Sequence, residues 1–383
     1  MNNPIVSIVI PVFNVESYLR ECLDSVCRQS LRDIEIICID DGSTDSSLLL
    51  LNDYAAKDPR ISVMPRQHEG LAAIRNLGLD TARGTYLYFI DADDILPDAG
   101  MLADLVALCE KDALDQVIFA ASTFPDERNP PPDTVSVRKR TLRGHPLEDG
   151  LCGRVMEGRE LLAELHRQKC FAPCMCLRLM RTNTLRAANL RFLNVAYHED
   201  DFFTPAAMLA SKRALALNRI LYHRRLRGGS IMTRDGIMTL RAQSSFKNLL
   251  AWTSRENPPP DLTDSAERLC VQHLFKNLAS RYAQLDEEAR LSFLAECGTS
   301  ERNRALLAGL EVRVEDRLQN SKLKRQNAKL KRRRSALKAE LRSACEELKT
   351  AQGERDARPN SIRQCLAFIV RQVSSRIRNR RGE

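Results

Sequence analysis

The sequence contains no uninterrupted apolar run of the ~18 or more residues that a membrane-spanning helix needs. Its start, MNNPIVSIVIP, has neither the basic residues nor the small-residue cleavage site of a secretory signal. The expectation is a cytoplasmic chain that meets a membrane, if at all, at its surface. Also missing are the paired C-x2-C knuckles of common zinc sites. Of 12 cysteines only Cys170, Cys174 and Cys176 cluster, as C-x3-C-x-C. The rest are scattered through segments that read as strands and helices, such as Cys38 in IEIICID, which points to reduced packing thiols rather than a disulfide framework. Most of the chain also lacks basic character. The net charge is +9, yet residues 311–383 hold 21 Lys and Arg against 9 Asp and Glu, an excess of 12, so the first 310 residues sum to −3. An acidic partner would therefore meet the tail and not the globular part.

What is present is a core-forming hydrophobic fraction of 43%, enough for one large domain with an appendage or for two ordinary domains. Over the first hundred residues, runs such as VSIVIPVF, IEIICID, ISVMP and YLYFID alternate with helical patterns at about residues 15–29, 46–57 and 71–81. Continuous Val/Ile runs predict strands covered on both faces, and the alternation predicts a doubly wound, mainly parallel α/β sheet. Ligands in such sheets bind beyond the carboxyl ends of the strands, so the residues just after each strand are the ones to inspect.

The pattern breaks into Pro, Asp, Arg and Gly over about residues 125–153, and residues 233–310 read as a helical extension. In residues 311–355, Leu323, Leu330 and Leu337 recur every seven residues, with Asn320 and Asn327 three positions ahead of the first two. That seam predicts a basic parallel two-stranded coil joining two copies, with a single solvated basic helix as the alternative. In residues 356–383, Ile362, Leu366, Ile369, Val370, Val373 and Ile377 recur at helical spacing beside arginines. Such a basic amphipathic tail suits an anionic membrane surface or a docked helix. No aromatic interleaving accompanies the basic charge, so nucleic acid is not an expected partner.

Two acidic motifs end strands. Asp91-Ala92-Asp93-Asp94 follows YLYFI and offers hard oxygen ligands to a divalent cation that could also hold a diphosphate. Acidic turns after strands are frequent, and it is the place at the sheet's ligand edge that raises the interest of this one. Asp40-Asp41-Gly42-Ser43-Thr44-Asp45 follows IEIICI; its carboxylates could accept from a base imide or ribose, while Gly42 permits a tight turn and Asp45 caps a helix.

Taken together, VSIVIPVFN, IDDGSTD, GLAAIRNLGLDTARGTYLYFIDADD and HEDDFF resemble family 2 glycosyltransferases of GT-A fold, of the bacterial surface-polysaccharide type, over about residues 4–232. The resemblance implies a GT-A catalytic domain at residues 1–232 that uses a nucleotide-sugar donor and Mn²⁺ or Mg²⁺. It implies donor contacts from Pro11, Phe13, Asn14 and Glu16, with Phe13 where the family often has Tyr. Asp40 and Asp41 would recognise the nucleoside, and Arg75 and Asn76 would line the donor site. Asp91 would meet ribose or metal, and Asp93 would be the direct metal ligand. Within YHEDDFF, Asp200 would be the base that deprotonates an acceptor hydroxyl for a single inverting displacement, with Asp201 as its rival. RILYHRRLRGGSIM resembles the family's donor-closing loop, which would turn Arg225, Arg227 and Ser230 to the diphosphate; His223 stands where Tyr is common and reads as packing. In CFAPCMCLRLM, Cys174 and Cys176 take the places of a usual Trp and Lys on the acceptor side. The expected reaction moves a hexose or aminosugar from a nucleoside diphosphate, uridine-linked by family habit, to a hydroxyl of a glycan or lipid-linked acceptor. The expected location is the cytoplasm, at the inner face of the membrane if the tail binds there. The rival is a catalytically idle GT-A scaffold that organises a polysaccharide-synthesis complex through its coil.

Overall fold

The computed structural model describes residues 3–128, 147, 150–227, 238–253 and 265–300, with 303, 307, 308, 310 and 314. The chain divides into two compact units, Met1–Leu310 and Glu311–Glu383. All the elements named below lie in the first. Apart from Val314, the coil and tail expected over 311–383 lie outside the described residues, as does Ser230. No helix among the described residues is long and apolar enough to cross a membrane.

The first half alternates as β1 (Val6–Val12), α1 (Glu16–Cys27), β2 (Ile34–Asp40), α2 (Ser47–Ala55), β3 (Ile61–Pro65), α3 (Leu71–Thr81), β4 (Tyr86–Phe89), α4 (Met101–Lys111) and β5 (Gln116–Pro125). Then follow α5 (Gly158–Arg167), β6 (Arg178–Arg181), α6 (Thr182–Ala187), α7 (Asp200–Ala210) and β7 (Ala214–Leu226), and finally α8 (Met238–Thr253), α9 (Ser265–Tyr282) and α10 (Glu287–Cys297). One seven-stranded sheet runs β3-β2-β1-β4-β6-β5-β7. Every residue of β2 and all of β1 except Pro11 are buried, as strands covered on both faces must be.

Two features depart from the sequence pattern. β6 enters between β4 and β5 antiparallel to both, so the sheet is mixed. Its four residues carry too short a pattern to announce a strand, and only the partners on either side give it one. The second is β7, whose 13 residues extend through Arg225 and pair with β5 by way of a bulge near Ala120. The stretch that resembles a donor-closing loop is therefore strand as far as Leu226.

α3 lies close to β1 at one glycine. A Cβ built on Gly78 would sit 2.4 Å from Cγ1 of Val9, a side chain fully buried in the sheet. Gly78→Ala should lower unfolding stability by about 1–3 kcal/mol through overpacking, although alanine is the better helix former. Urea denaturation reads this directly; unchanged or raised stability would mean that helix and strand can separate freely.

Candidate active site

The carboxyl ends of β1, β2 and β4 bring the first set of side chains together. The loops after β1 and β2 brace each other: the Glu16 amide donates to Asp45 Oδ2 at 3.0 Å, while Glu16 Oε2 accepts from the Ser46 amide at 2.7 Å. Asn14 Oδ1 accepts from the Thr44 amide at 2.8 Å, and the Asn14 amide donates to Ser43 Oγ at 3.0 Å. Two helix N-termini thus exchange capping carboxylates. Burial acts to raise the Asp45 carboxyl, but hydrogen bonds from Ser47 and the Glu16 amide outweigh it and hold the group below the ordinary range. Asn14 and Glu16 thus tie the two loops together, and Pro11 stays in β1 opposite Ile39.

Asp41 is buried and accepts from the Glu69 amide at 2.7 Å and the Gly70 amide at 3.0 Å. His68 Nδ1 lies 2.9 Å from Asp41 Oδ2, and its ring stacks on half-exposed Phe13 with centroids 4.3 Å apart. Gly42 has φ +74°, and a Cβ there would stand 2.9 Å from the His68 amide nitrogen, so the close approach requires glycine. Asp40 Oδ2 accepts from the Ser43 amide at 3.2 Å, while Oδ1 is buried without a hydrogen-bond partner among the described residues. His68 is absent from the sequence reading. The only signal for it is its place in a polar pair, His68-Glu69, ahead of the glycine that caps α3.

The acidic end of β4 splits three ways. Asp94 is buried, accepting from the Tyr222 hydroxyl at 2.5 Å and the Arg225 amide at 2.7 Å. Burial, then Asp93 and Asp91, push its carboxyl well up. Asp94 therefore joins β4 to β7. Asp93 accepts from Arg227 Nε at 2.8 Å, and Asp91, with its side chain 41% exposed, pairs with Arg75 Nη2 at 3.0 Å. For each of these two carboxylates the second oxygen has no partner among the described residues. Among those residues no group of three or more His, Cys, Asp or Glu is set to hold a metal ion. Two hard carboxylates with an oxygen to spare nevertheless suit Mg²⁺ or Mn²⁺ bound jointly with phosphate, since such ions take one or two protein carboxylates and fill the remaining positions from substrate and water.

Arg225 is more enclosed than a diphosphate ligand needs to be. Its guanidinium pairs with Glu21 at 2.5 Å, donates to the Asp93 carbonyl at 3.0 Å and lies between the Tyr18 and Phe124 rings. His223 packs beside Phe124, and burial lowers its pKa. Arg224, one residue away, is exposed; burial of its stem works against the cation, but Asp94 and Asp91 favour it.

Arg75 is the centre of the arrangement. Nearly buried, it bonds Glu199 on one side and Asp91 on the other, tying the acidic end of β4 to the segment that opens α7. Burial alone would lower its pKa, and Glu199 and Asp91 more than restore it. The neighbouring Asn76 uses its amide to bond both backbone groups of Phe192 at 2.9 Å, fixing the loop that leads to Glu199. His198 adopts φ +60°, an uncommon conformation that turns the chain just before Glu199-Asp200. Burial, with Arg281 and Arg241 nearby, lowers the His198 pKa to about 3.

The three acidic residues of the HEDD segment have different surroundings. Glu199 is held by Arg75, and Asp201 is buried and pairs with Arg281 of α9 at 3.4 Å. Asp200 has no ion pair among the described residues and is partly exposed. Burial, then Glu199, Asp201 and Cys174, raise its carboxyl well above the ordinary range, against a lowering pull from Arg75. Helix α8 supports this segment: Asn248 Nδ2 donates to the His198 carbonyl at 2.8 Å, and the Tyr197 amide donates to Ser244 Oγ at 3.2 Å. Sequence reasoning found no chemistry in residues 233–310, because buttressing leaves no motif.

A mainly parallel sheet whose strands end in carboxylates is the framework expected of a GT-A glycosyltransferase, and comparison supports that class of protein. Residues 7–158 match the family model described as Glycosyl transferase family 2, so the chain carries a family 2 glycosyltransferase domain. It is 34% identical over 220 residues to the uncharacterized glycosyltransferase EpsJ of Bacillus subtilis, covering 57% of this chain and 60% of EpsJ. To the putative glycosyltransferase EpsH of the same organism it is 30% identical over 239 residues, covering 61% of this chain and 64% of EpsH. The chain thus spans less than two thirds of the length of either relative. Among solved structures, S. aureus TarS 1-349 shares the fold with a TM-score of 0.57 at 18% identity, covering 79% of this chain and 82% of that one.

Proposed function

We propose that the domain transfers a sugar from a nucleoside diphosphate sugar to a hydroxyl of a glycan or glycolipid, with inversion, in the synthesis of a surface polysaccharide. The observation that carries this reading is the double ion pair of Arg75. It places the carboxylate end of β4, suited to a donor diphosphate, next to Glu199-Asp200, where an acceptor would be deprotonated. Phe13, His68 and Asp41 form a flat, polar-edged platform for a base, and Asp40, next to Asp41 in the chain, would belong to the same nucleoside-recognising turn. Arg227 and exposed Arg224, with Ser230 beyond them, would face the diphosphate. A divalent ion held by Asp93 and Asp91 would supply charge neutralisation for the leaving phosphate. Asp200 would take the proton of the attacking hydroxyl, and its raised proton affinity makes it a stronger base than an ordinary aspartate. The coil would pair two copies, and the basic tail would bring the domain to lipid-linked acceptors. Both rest on the heptad leucines and the charge excess of residues 311–383.

TarS 1-349 has been solved in complex with UDP-GlcNAc, which makes that nucleotide sugar the first to try. In a panel of UDP-, GDP- and dTDP-sugars with Mn²⁺, a cognate donor at about 100 times its Kd should stabilise the protein by about 2.7 kcal/mol, seen as a rise in melting temperature. No response to any nucleotide sugar, with or without metal, would refute the donor half and favour the idle scaffold.

A further inference from the structure

One oxygen of Asp93, a carboxylate suited to a divalent ion, is already taken by a cation of the chain itself. Arg227 Nε donates to Asp93 Oδ2 at 2.8 Å, and the two side chains are only 19% and 22% exposed. The Asp93 main chain is held from the same side, since Arg225 Nε donates to its carbonyl at 3.0 Å. The two arginines differ in freedom. Arg225 is locked in the strand ladder opposite Phe124, whereas Arg227 stands one residue beyond the end of β7 and can turn without breaking a strand pair.

Arg227 also belongs to a cluster whose charges are balanced. Its guanidinium carbon lies 4.9 Å from the centroid of the Tyr18 ring, which it shares with Arg225 at 5.3 Å and Arg128 at 5.4 Å. The ring is buried and its hydroxyl donates to Asp126 Oδ2 at 3.0 Å, so the aromatic seat is fixed. Three cations around one ring repel each other unless carboxylates offset them. Arg128 and Arg225 each pair with Glu21 and Asp126, and Arg227 pairs with Asp93, three cations to three carboxylates. Among the described residues Asp93 is the only carboxylate paired with Arg227. Giving Asp93 up to a divalent ion alone would strand Arg227 beside two like charges and a third, stronger one. A diphosphate arriving with the ion carries enough negative charge to pair with both.

We propose that Arg227 makes divalent-ion binding at Asp93 depend on the nucleoside diphosphate. While no donor is bound, Arg227 competes with the ion for the carboxylate; when ion and diphosphate enter together, it leaves Asp93 and turns to the phosphate oxygens. This role rests on the metal and diphosphate assignments proposed above for Asp93 and Arg227, and it adds a direction to them: the same side chain opposes the ion alone and favours the ion with its donor. The coupling is reciprocal, because two ligands that bias one side chain must change each other's affinity by the same factor. The site is thereby kept from filling with metal before a donor arrives.

Mn²⁺ binding to the full-length protein without nucleotide, read from the EPR signal of the free ion, needs no transfer assay. Arg227→Gln should bind Mn²⁺ at least about tenfold more tightly than the unsubstituted protein, the lower end of what close charge pairs are worth. Arg227→Lys keeps the charge and should stay near the unsubstituted protein. The gain in Arg227→Gln should vanish when Asp93→Asn is added, which ties it to that carboxylate. With UDP present the unsubstituted protein should bind Mn²⁺ more tightly, and Arg227→Gln should lose much of that enhancement. Equal Mn²⁺ affinity in the unsubstituted protein and Arg227→Gln, or a gain in Arg227→Lys as large as in Arg227→Gln, would overturn the proposal and leave the metal site standing. No Mn²⁺ binding by any form, with or without UDP, would overturn both.

Discussion

If Asp200 is the proposed general base, Asp200→Asn should lower the rate of sugar transfer by about 10²–10⁴-fold, the usual worth of a positioned base, and leave nucleotide-sugar binding nearly intact. Amide for carboxylate keeps the shape of the side chain and removes only its ability to take a proton. Because Asp200 has no ion pair among the described residues, the substitution strands no partner charge and stability should hold. Asp201→Asn is the informative comparison: it releases Arg281 of α9 and should act on stability more than on rate. The pH dependence follows from the same surroundings. Burial and the neighbouring carboxylates raise the Asp200 pKa, so the working, ionised form is lost as pH falls through that raised value. The acid limb of kcat/KM should therefore lie above the ordinary aspartate range near 3.9 and disappear in the Asn variant. Single-turnover transfer with a saturating donor separates the proton-transfer step from binding. Full turnover by Asp200→Asn would move the base to another residue.

Arg75→Met is expected to cost about 3–5 kcal/mol of unfolding free energy, because it leaves buried Glu199 without its counter-charge while removing the tie to Asp91. Glu199 and Asp91 come from different segments, the start of α7 and the end of β4, so the loss should also reach catalysis even though Arg75 is not assigned to the reacting atoms. Pairing the change with Glu199→Leu should recover a good part of the stability, since two apolar groups of similar volume often replace a buried ion pair at little cost. Activity should not return with it, because the apolar pair no longer positions Asp91. Denaturant titration of the two single variants and the double variant measures the coupling. Additive losses would mean that Arg75 and Glu199 do not act as a pair.

The sequence made parts of this site legible because their signals are local. Val/Ile runs announce β1 and β2 and an aromatic run announces β4, and an acidic cluster after each of the last two marks the sheet edge where ligands are expected to bind. Helix α3 lies over residues 71–81, where its periodicity places it. Other parts have no local signal. The strand direction of β6 depends on what lies on either side of it, and the reach of β7 through Arg225 depends on pairing with β5. His68 acquires a role only because the turn at Gly42 brings Asp41 and Phe13 to it.

What the sequence determined alone was the kind of chemistry: carboxylates after buried strands, a later pair of acids and a run of arginines, all in the order shared by family 2 glycosyltransferases. What only the tertiary structure decided was how those charges are assigned. Three aspartates of one motif, with nearly identical local sequence, become a partly exposed carboxylate, an arginine-capped carboxylate and a buried link between strands. Two adjacent arginines become an exposed cation and an enclosed brace. The physical reason is that the state of a charged side chain is set by its burial and by the opposite charges within a few ångströms of it. In this domain those partners come from up to 204 positions away in the chain, as Glu21 does for Arg225.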